Sequence, residues 1–500
     1  MDSDRGEGQE NKPRSRWLLV VRHDVGLAFR RPSLHGCVAF LAILAGLSSS
    51  LGLRDVAAAH QDYTRLLQQQ VEAQLEPGSV MGWSTDARLR VARPPELGAA
   101  LAKGIDASLP SYWDFSPSGV RWGPARPSAR HLQAGIPLDF GLLVLTIGGL
   151  LAGMYGVDIV ASARATGTLR AWLSLPVPRA LVLSAKLTAA ALVVAYAVLV
   201  AQLAALAGLL TGKPVGLDVS VAEMLSLVAP MAVPALLFLC FMMILGMSVG
   251  LLVPSDGGAH LSQIALWILT ALLIPYLTST AARIIVPVPA RGSLEHAASE
   301  AFATRIHDAE YDLGALLASR VDGAADSRAL ATAVERHRAA LDDEWTEAAG
   351  QARLEVERIE QAWWTERRRQ TALARSLSWL SPGAMLLRGF ETLAGTGPPL
   401  AETWDRAVEG YQRRLNRDLF DERPRVTIRL PAQAGGYWLR FDRRRAPKLH
   451  EVPQFQVPRH DRGQRSGTAA QHMAGLAVYL MVIVGVASRL FATRFIRPTD

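Results

Sequence analysis

The sequence predicts a mainly α-helical membrane protein with six transmembrane helices and two large extracytoplasmic insertions, the second of which is largely helical. Apolar residues are concentrated in six runs of about 20 residues or more, the length that a helix needs to cross roughly 30 Å of hydrocarbon. The segments between the runs are strongly charged, so the average of 50% hydrophobic residues mixes two kinds of segment. Lys and Arg are also unevenly distributed among those segments, which predicts an orientation.

The six runs are predicted to be helices, because a helix satisfies its own backbone hydrogen bonds in lipid. Pro230 and Pro234 in the fourth run predict a kink whose freed carbonyls are met by neighbouring helices. A secretory signal peptide is an alternative for the first run, with the alanines at 57–59 as a cleavage-like site. Its apolar stretch and the region before it are both longer than such peptides have. The runs are residues 34–53, 138–157, 180–211, 224–253, 261–281 and 470–490.

Basic residues near the ends of the runs predict the orientation. With six crossings, residues 1–33, the connection 158–179 and the tail 491–500 lie on one side, and the positive-inside rule makes that side the cytoplasm. Both insertions, 54–137 and 282–469, then lie outside a bacterial plasma membrane. The residues that support this orientation are Lys12, Arg14, Arg16, Arg22, Arg30, Arg31, Arg164, Arg170, Arg179, Arg489, Arg494 and Arg497.

The soluble segments also have predictable local structure. Apolar and basic residues mix over 15–31, which predicts a helix lying in the membrane interface with its apolar face toward lipid and its arginines toward the headgroups. A basic flank that only sets the topology is the alternative. The first insertion opens as a helix and then becomes rich in Pro, Gly and Trp, which predicts an irregular cap with short elements. In the second insertion, a helix at 294–321 and a long helix to about 377, with Asp326 or Ser327 as its N-cap, predict an antiparallel hairpin.

The long helix of the hairpin carries an apolar stripe that is broad enough to pack on a partner. We interpret the stripe as intramolecular core, and a binding face for an envelope protein is the alternative. A further helical stretch at 384–421, a strand-like patch at 425–430 and an extended return to the last run complete this insertion. The stripe residues are Val334, Leu341, Trp345, Ala352, Val356, Ile359 and Trp363.

No catalytic, cofactor or metal constellation is predicted. Ser248 lies in a G-x-S-x-G pattern, but inside an apolar run rather than at a strand-to-helix turn, so it fails the hydrolase context. Gly246 and Gly250 of the same run instead form a small-residue face for close helix packing. The sequence has neither a P-loop nor paired metal-ligand histidines, and its net charge of +8 comes without a nucleic-acid motif. Cys37 and Cys240 both fall in apolar runs and are predicted to be packing residues.

The predicted helices contain no charge near their centres. A charge there costs at least about 2.5–3.5 kcal/mol on insertion scales and is kept where ions or protons must pass. Its absence argues against a proton-coupled transporter or an ion channel. It favours a protein whose energy arrives from outside the membrane.

The connection between the second and third runs resembles the signature of ABC-2 type permeases, the membrane subunits of ABC transporters. The match consists of Gly167-Thr168-Leu169-Arg170, Pro176-Val177, Arg179 and Lys186, although Ala163 and Ala165 stand where the family usually has acidic residues. The resemblance implies that 158–179 docks on a separate cytoplasmic ATPase, which binds ATP and Mg, and that 15–31 is the family's elbow helix. The implied coupling residues are Asp158, Arg164, Thr166, Gly167, Thr168, Leu169, Arg170 and Arg179.

The two insertions and the stretches SPG at 381–383 and LAGTG at 393–397 resemble permeases that carry a DUF3526 domain. The resemblance implies a type V exporter-like transmembrane domain and a second permease chain, identical or related, with helices two and five at the dimer interface. The expected function is export of a lipid, amphiphile, peptide or envelope component. The chain itself is expected not to be an enzyme. A membrane scaffold or signalling protein, whose second insertion binds an envelope partner, is the alternative.

Overall fold

The structure is a computed structural model, and helices account for most of the residues that it describes. Six of its helices are long and apolar enough to cross a membrane, which confirms the predicted fold class. The described residues are 13–75, 89–116, 118–125, 139–168, 178–214, 218–320, 327–418, 424–429, 438–443, 452–458 and 462–494.

The helices of the bundle are longer than the apolar runs that predicted them. The helix from the first run continues for 22 residues past position 53, so it projects well beyond the hydrocarbon. Pro230 falls in a 3-10 turn, Ala229–Met231, which interrupts α5 at the position of the predicted kink. The bundle consists of α1 (Pro13–Phe29), α2 (Pro32–Leu75), α3 (Phe140–Ala165), α4 (Arg179–Gly212), α5 (Val221–Leu252), α6 (Asp256–Ile285) and the last helix, α11 (Arg462–Arg494).

Glycines allow the helices of the bundle to approach in pairs. A Cβ atom added to Gly208 of α4 would lie 2.0 Å from the backbone oxygen of Gly46 in α2. A Cβ on Gly156 of α3 would lie 1.9 Å from the backbone oxygen of Met243 in α5. By contrast, α6 lies at the periphery: 6% of its most apolar window is buried, against 78% for α5.

Both α3 and α6 contain a π turn, at Val144–Gly148 and Ile268–Leu273. Such turns disturb the regular hydrogen-bond ladder of a helix, and neighbouring helices provide replacement donors. Trp267 Nε1 donates to the backbone oxygen of Leu145 over 3.4 Å. Ser381 Oγ donates to the backbone oxygen of Thr270 over 2.9 Å. The two turns are therefore fixed by contacts from outside their own helices.

Ser381 belongs to a short helix that enters the bundle from the second insertion, α9 (Pro382–Ala394). Gly383 at its start lies against Leu145 and Ala271, where an added Cβ would be 2.9 Å from the leucine side chain. Phe390 packs against Phe140, with ring centroids 5.9 Å apart. The short helix α9 is thus surrounded by α3, α6, α5 and α11.

The predicted single helix over 384–421 is two helices, α9 and α10 (Pro398–Asp418). The break is at Gly395, whose φ of +74° is a left-handed conformation that suits glycine. After it, Thr396 Oγ1 donates to the backbone oxygen of Ala102 over 2.7 Å. The break therefore directs the chain onto the first insertion.

The first insertion contains a three-stranded antiparallel sheet where the sequence predicted an irregular cap. Its strands are β1 (Leu89–Ala92), β2 (Tyr112–Ser116) and β3 (Gly119–Trp122), in that order across the sheet. At the free edge of β3, Glu360 accepts a hydrogen bond from the backbone N–H of Val120, and Glu295 accepts one from that of Trp122. Helices of the second insertion therefore cover this edge, which would otherwise leave its donors unpaired.

The predicted hairpin consists of α7 (Arg291–Arg320) and α8 (Ser327–Ser378). Leu341, Trp345, Ala352 and Val356 of the predicted stripe are buried against α7. The side chain of Val334 and residue Asp326 lie outside the described residues. Beyond α10, strand β4 (Pro424–Arg429) pairs antiparallel with β5 (Trp438–Arg443), a strand that the sequence analysis did not predict.

Candidate coupling site at the α3–α4 connection

The predicted coupling segment begins inside α3, because the helix continues to Ala165. Asp158 and Arg164 therefore lie on its last two turns rather than in a connection. Arg179 is the first residue of α4. Leu169 and Arg170 lie outside the described residues. The other predicted residues follow α3 directly and are Thr166, Gly167 and Thr168.

Arg164 joins the end of α3 to the end of α5. Its Nη1 donates to the backbone oxygens of Val253, over 3.0 Å, and Pro254, over 2.6 Å. Its Nη2 donates to the backbone oxygen of Gly250. The last carbonyls of a helix have no intrahelical donor, and a cation there also complements the helix dipole. One side chain thus caps the C-terminus of α5 and links it to α3.

Asp158 joins α3 to the beginning of α6. Its Oδ1 lies 3.0 Å from His260 Nε2, and His260 Nδ1 lies 2.8 Å from the backbone oxygen of Asp256. The imidazole is therefore held between the first turn of α6 and the last turns of α3. Through Asp158 and Arg164, the end of α3 is attached to both α5 and α6.

The Thr-Gly-Thr stretch ends α3. Gly167 has a φ of +69°, as at many helix C-termini, and among the described residues beyond its two chain neighbours no heavy atom lies within 4 Å of the position of a Cβ there. Thr166 Oγ1 donates to the backbone oxygen of Ser162 over 2.8 Å, and Thr168 Oγ1 donates to that of Ala163 over 3.2 Å. The glycine thus has a local structural role, and the surface around it is open.

Helix α1 is attached to the same end of the bundle. Lys186 Nζ of α4 lies 3.0 Å from Asp24 Oδ2 of α1. Arg31, just after α1, donates from Nη2 to Ser162 Oγ over 3.4 Å. Neither contact was predicted from the sequence. Asp24 is the one acidic residue between positions 11 and 31, and a single acid in a basic segment could have indicated an ion pair with another helix.

Only part of the apolar surface of α1 is available to lipid. Val20 and Val21 pack against Ala185 and Ala189 of α4. Leu18 and Leu19, on the other side, are exposed. The helix therefore has one side on the bundle and another facing outward, where the sequence analysis placed its whole apolar face toward lipid.

Gly246 and Gly250 lie on the face of α5 that meets α3. A Cβ on Gly246 would lie 2.0 Å from the backbone oxygen of Gly153, and one on Gly250 would lie 3.1 Å from Val160 Cβ. Ser248, between them, donates to the backbone oxygen of Ile244 over 2.9 Å. Its hydroxyl is thus held within its own helix, which agrees with rejecting it as a nucleophile.

A search of the described residues finds no group of three or more His, Cys, Asp or Glu side chains that could hold a metal ion. The arrangement at this end of the bundle is instead a set of bonds between helix termini. These bonds join the end of α3 to α5 and to α6.

Comparison with known proteins gives one match. The family model described as "ABC-2 family transporter protein" matches residues 18–444. No curated protein and no solved structure matches the chain. The family match covers the bundle from α1 to α6, the hairpin and most of the second insertion. The chain therefore belongs to the ABC-2 family of transporter proteins.

Proposed function

We propose that this chain is the membrane-spanning subunit of an ATP-driven export complex, whose ATP is hydrolysed by a separate cytoplasmic subunit. The observation that carries the proposal is the pair of attachments at the end of α3. Arg164 binds the end of α5, and Asp158 binds His260 at the start of α6. A partner that moves the open surface around Gly167 would move three spanning helices together.

The ATPase would dock on the segment from Asp158 to Arg179, together with the segment 254–260 between the fourth and fifth apolar runs, of which positions 254–257 are exposed. ATP and Mg would be bound by that partner, since this sequence has no P-loop. The attachment of Arg31 to Ser162 adds α1 to the moving set.

A second permease chain, identical or related, would cover α6. This helix presents large apolar side chains outward from a single chain, among them Leu261, Tyr276 and Ile284. Because α6 is also bonded to α3 through His260, a dimer interface there would be linked directly to the docking segment. Movement of one ATPase would then displace helices in both permease chains.

The cargo would be a lipid, an amphiphile, a peptide or another envelope component. The bundle surface is apolar and its centre carries no charge of the kind used for ion passage. Both insertions meet at the same end of the bundle, where Thr396 Oγ1 of the second insertion donates to the backbone oxygen of Ala102 of the first over 2.7 Å. They would therefore cap the path by which cargo leaves.

The orientation places both insertions outside a bacterial plasma membrane and both termini in the cytoplasm. In a chain with Cys37→Ser and Cys240→Ala, Gly350→Cys on α8 should react with a membrane-impermeant maleimide in intact cells. Gly257→Cys, at the opposite end of the bundle, is the matched control and should react only after lysis. Both glycines have no heavy atom within 4 Å of the added Cβ. The reverse pattern would overturn the orientation.

The ATPase partner can be tested with a double substitution in the docking segment. Gly167→Asp with Arg170→Glu should abolish co-purification with a candidate ATPase, because the substitutions add two negative charges to the proposed docking segment and remove one positive charge. Membrane insertion should be unchanged. The readout is the ATPase recovered per tagged permease.

The matched control changes the same residue types on the outer hairpin, Gly292→Asp with Arg305→Glu. Both positions are on α7, and both are exposed. This control should retain the ATPase. Equal recovery with the docking variant would remove the coupling assignment. If the unmodified chain recovers no ATPase, the export proposal fails and the scaffold alternative takes its place.

A further inference from the structure

A cavity of about 310 Å³ lies where α1 meets the bundle. Its size is at the lower end of the range for small-molecule sites. The lining includes Leu27 of α1, Arg31 just after α1, Tyr155 and Ser162 of α3, and Lys186 of α4. It is separate from the α3–α5 and α3–α6 contacts described above, although it shares the end of α3 with them.

The charges around this cavity favour an anion. Arg31 and Lys186 are cationic, and Asp24 is the one carboxylate in the described lining. Asp24 is paired with Lys186. Among the described residues, the Arg31 guanidinium has one hydrogen-bond partner, the neutral hydroxyl of Ser162. With His23 of the lining counted as neutral, the described lining therefore has a formal net charge of about +1.

Hydroxyl groups converge on the same place. Ser162, Thr166 and Thr168 line the cavity beside Arg31. An arginine with neighbouring hydroxyl donors is a suitable set for the oxygens of a phosphate. Backbone oxygens already accept from both threonine hydroxyls, so Arg31 would make the principal contact.

The rest of the cavity lining is mainly apolar. Leu27, Ala28, Ile159, Ala189 and Ala190 line it away from the charges. Arg31 stands at the junction between α1 and α2, where the chain enters the bundle. A phosphate at Arg31 with hydrocarbon against these side chains has the chemistry of a membrane phospholipid, and free phosphate would use only the polar part.

We infer that this cavity binds one anionic phospholipid of the leaflet that faces the α3–α4 connection, with its phosphodiester at Arg31 and an acyl chain against Leu27 and Ile159. The lipid would fill the space between α1, α3 and α4. It would thus fix α1 to the bundle as a third component beside the Lys186–Asp24 and Arg31–Ser162 contacts. This inference does not depend on the chain's having an ATPase partner.

The test uses the purified full chain in detergent and native mass spectrometry with dilauroyl phosphatidylglycerol. One lipid per chain should bind in preference to dilauroyl phosphatidylcholine. Arg31→Gln should weaken that binding at least about tenfold, the effect of roughly 1.4 kcal/mol. Arg30→Gln removes the same charge from the neighbouring exposed position, which does not line the cavity, and should change binding less than about twofold.

Three outcomes would overturn the inference. Arg31→Gln and the unmodified chain could bind the lipid equally, or Arg30→Gln could weaken binding as much as Arg31→Gln does. Competition by millimolar inorganic phosphate without any effect of acyl chain length would identify a free-phosphate site instead.

A second measurement does not rely on a variant's folding. Phosphatidylglycerol with a photoreactive group on its acyl chain should label the unmodified chain around Leu27 and Ile159. Equal labelling at the outward-facing Leu18 and Leu19 would show ordinary annular lipid and would also overturn the inference.

Discussion

The contact between α3 and α5 and the junction between the two insertions are both closely packed, but different forces hold them. Along α3 and α5, glycines bring backbones together, as where Gly246 meets Gly153. At the junction, aromatic rings stack: Trp113 of β2 lies 5.0 Å from Trp404 of α10 between ring centroids. Lipid gives no hydrophobic driving force for helix association, so close backbone contact takes that role there. In water, burial of large rings supplies it.

The two regions also differ in their charges. The α3–α5 contact is built from glycines and apolar side chains, with Arg164 at its end. The junction contains the buried pair Arg93–Asp106, and a second pair, Arg367 and Asp405, at 3.2 Å. It also contains Glu360, whose burial raises its pKa to about 7. We therefore expect the first region to depend on side-chain volume and the second to depend on pH as well.

The largest expected effect is at the aromatic junction. Trp404→Ala removes a ring that stacks on Trp113 and on Phe455, and should lower the free energy of unfolding of the insertions by about 4 kcal/mol. Tryptophan fluorescence during thermal unfolding measures it. Tyr311→Ala, at an exposed position on α7, is the control and should have little effect. A small shift for Trp404→Ala would mean that the ring stack does not hold the junction.

A somewhat smaller effect is expected at the glycine contact. Gly156→Ala places a Cβ against the backbone oxygen of Met243, so α3 and α5 must separate, at a cost of about 3 kcal/mol. With Cys37→Ser, maleimide labelling of the buried Cys240 reports this opening at rising temperature. Gly485→Ala on α11, which has no heavy atom within 4 Å of its Cβ, should leave the labelling midpoint unchanged.

These two variants together test whether the regions are independent. Trp404→Ala should lower the unfolding midpoint measured by fluorescence more than the midpoint measured by Cys240 labelling. Gly156→Ala should lower the labelling midpoint more than the fluorescence midpoint. If both probes shift equally in both variants, the insertions and the bundle unfold as one cooperative unit, and the contrast between them does not extend to stability.

The smallest expected effect is a pH dependence at the junction. The pKa of Glu360 rises from 4.5 to about 7 in the folded chain because the group is buried. Between those values the folded state retains a proton that the unfolded state releases, so the free energy of unfolding falls as pH rises. Glu360→Gln keeps an acceptor for the N–H of Val120 and should stabilise the insertions by about 2 kcal/mol at pH 8. At pH 4 it should have no effect.

The control for this pH effect is Glu300→Gln on α7, an exposed glutamate. Unfolding midpoints measured by fluorescence from pH 4 to pH 8 should have the same slope in this variant as in the unmodified chain. A slope that persists in Glu360→Gln would assign the pH dependence to another group.

The spanning helices were predictable because their signal is local. The length and hydropathy of each apolar run are enough to predict a spanning helix. In the structure, each spanning helix overlaps its predicted run and is longer than it. The three-stranded sheet was not predictable, because β3 relies on Glu295 and Glu360, which lie 173 and 240 residues away along the chain. The second half of the first insertion is rich in turn residues, which predicted an irregular cap with short elements.

The candidate site shows the same division. Gly167 and its neighbours were found through resemblance to a family signature. Arg164 donates hydrogen bonds to the backbone oxygens of Val253 and Pro254, which link the segment to the end of α5. These contacts join residues about 90 positions apart. Nothing near Arg164 in the sequence identifies that partner. Its charge was interpreted as a topology signal, and the family resemblance placed it among the coupling residues.

The position of α9 has a consequence for how the protein is made. Its sequence is too short to span a membrane, yet it lies among α3, α5, α6 and α11. The ribosome produces it only after the whole hairpin of α7 and α8. The contacts that α9 makes with the first five spanning helices can therefore form only after the hairpin has been synthesised. Assembly of the bundle is thus completed by the last two helices to be made, α9 and α11.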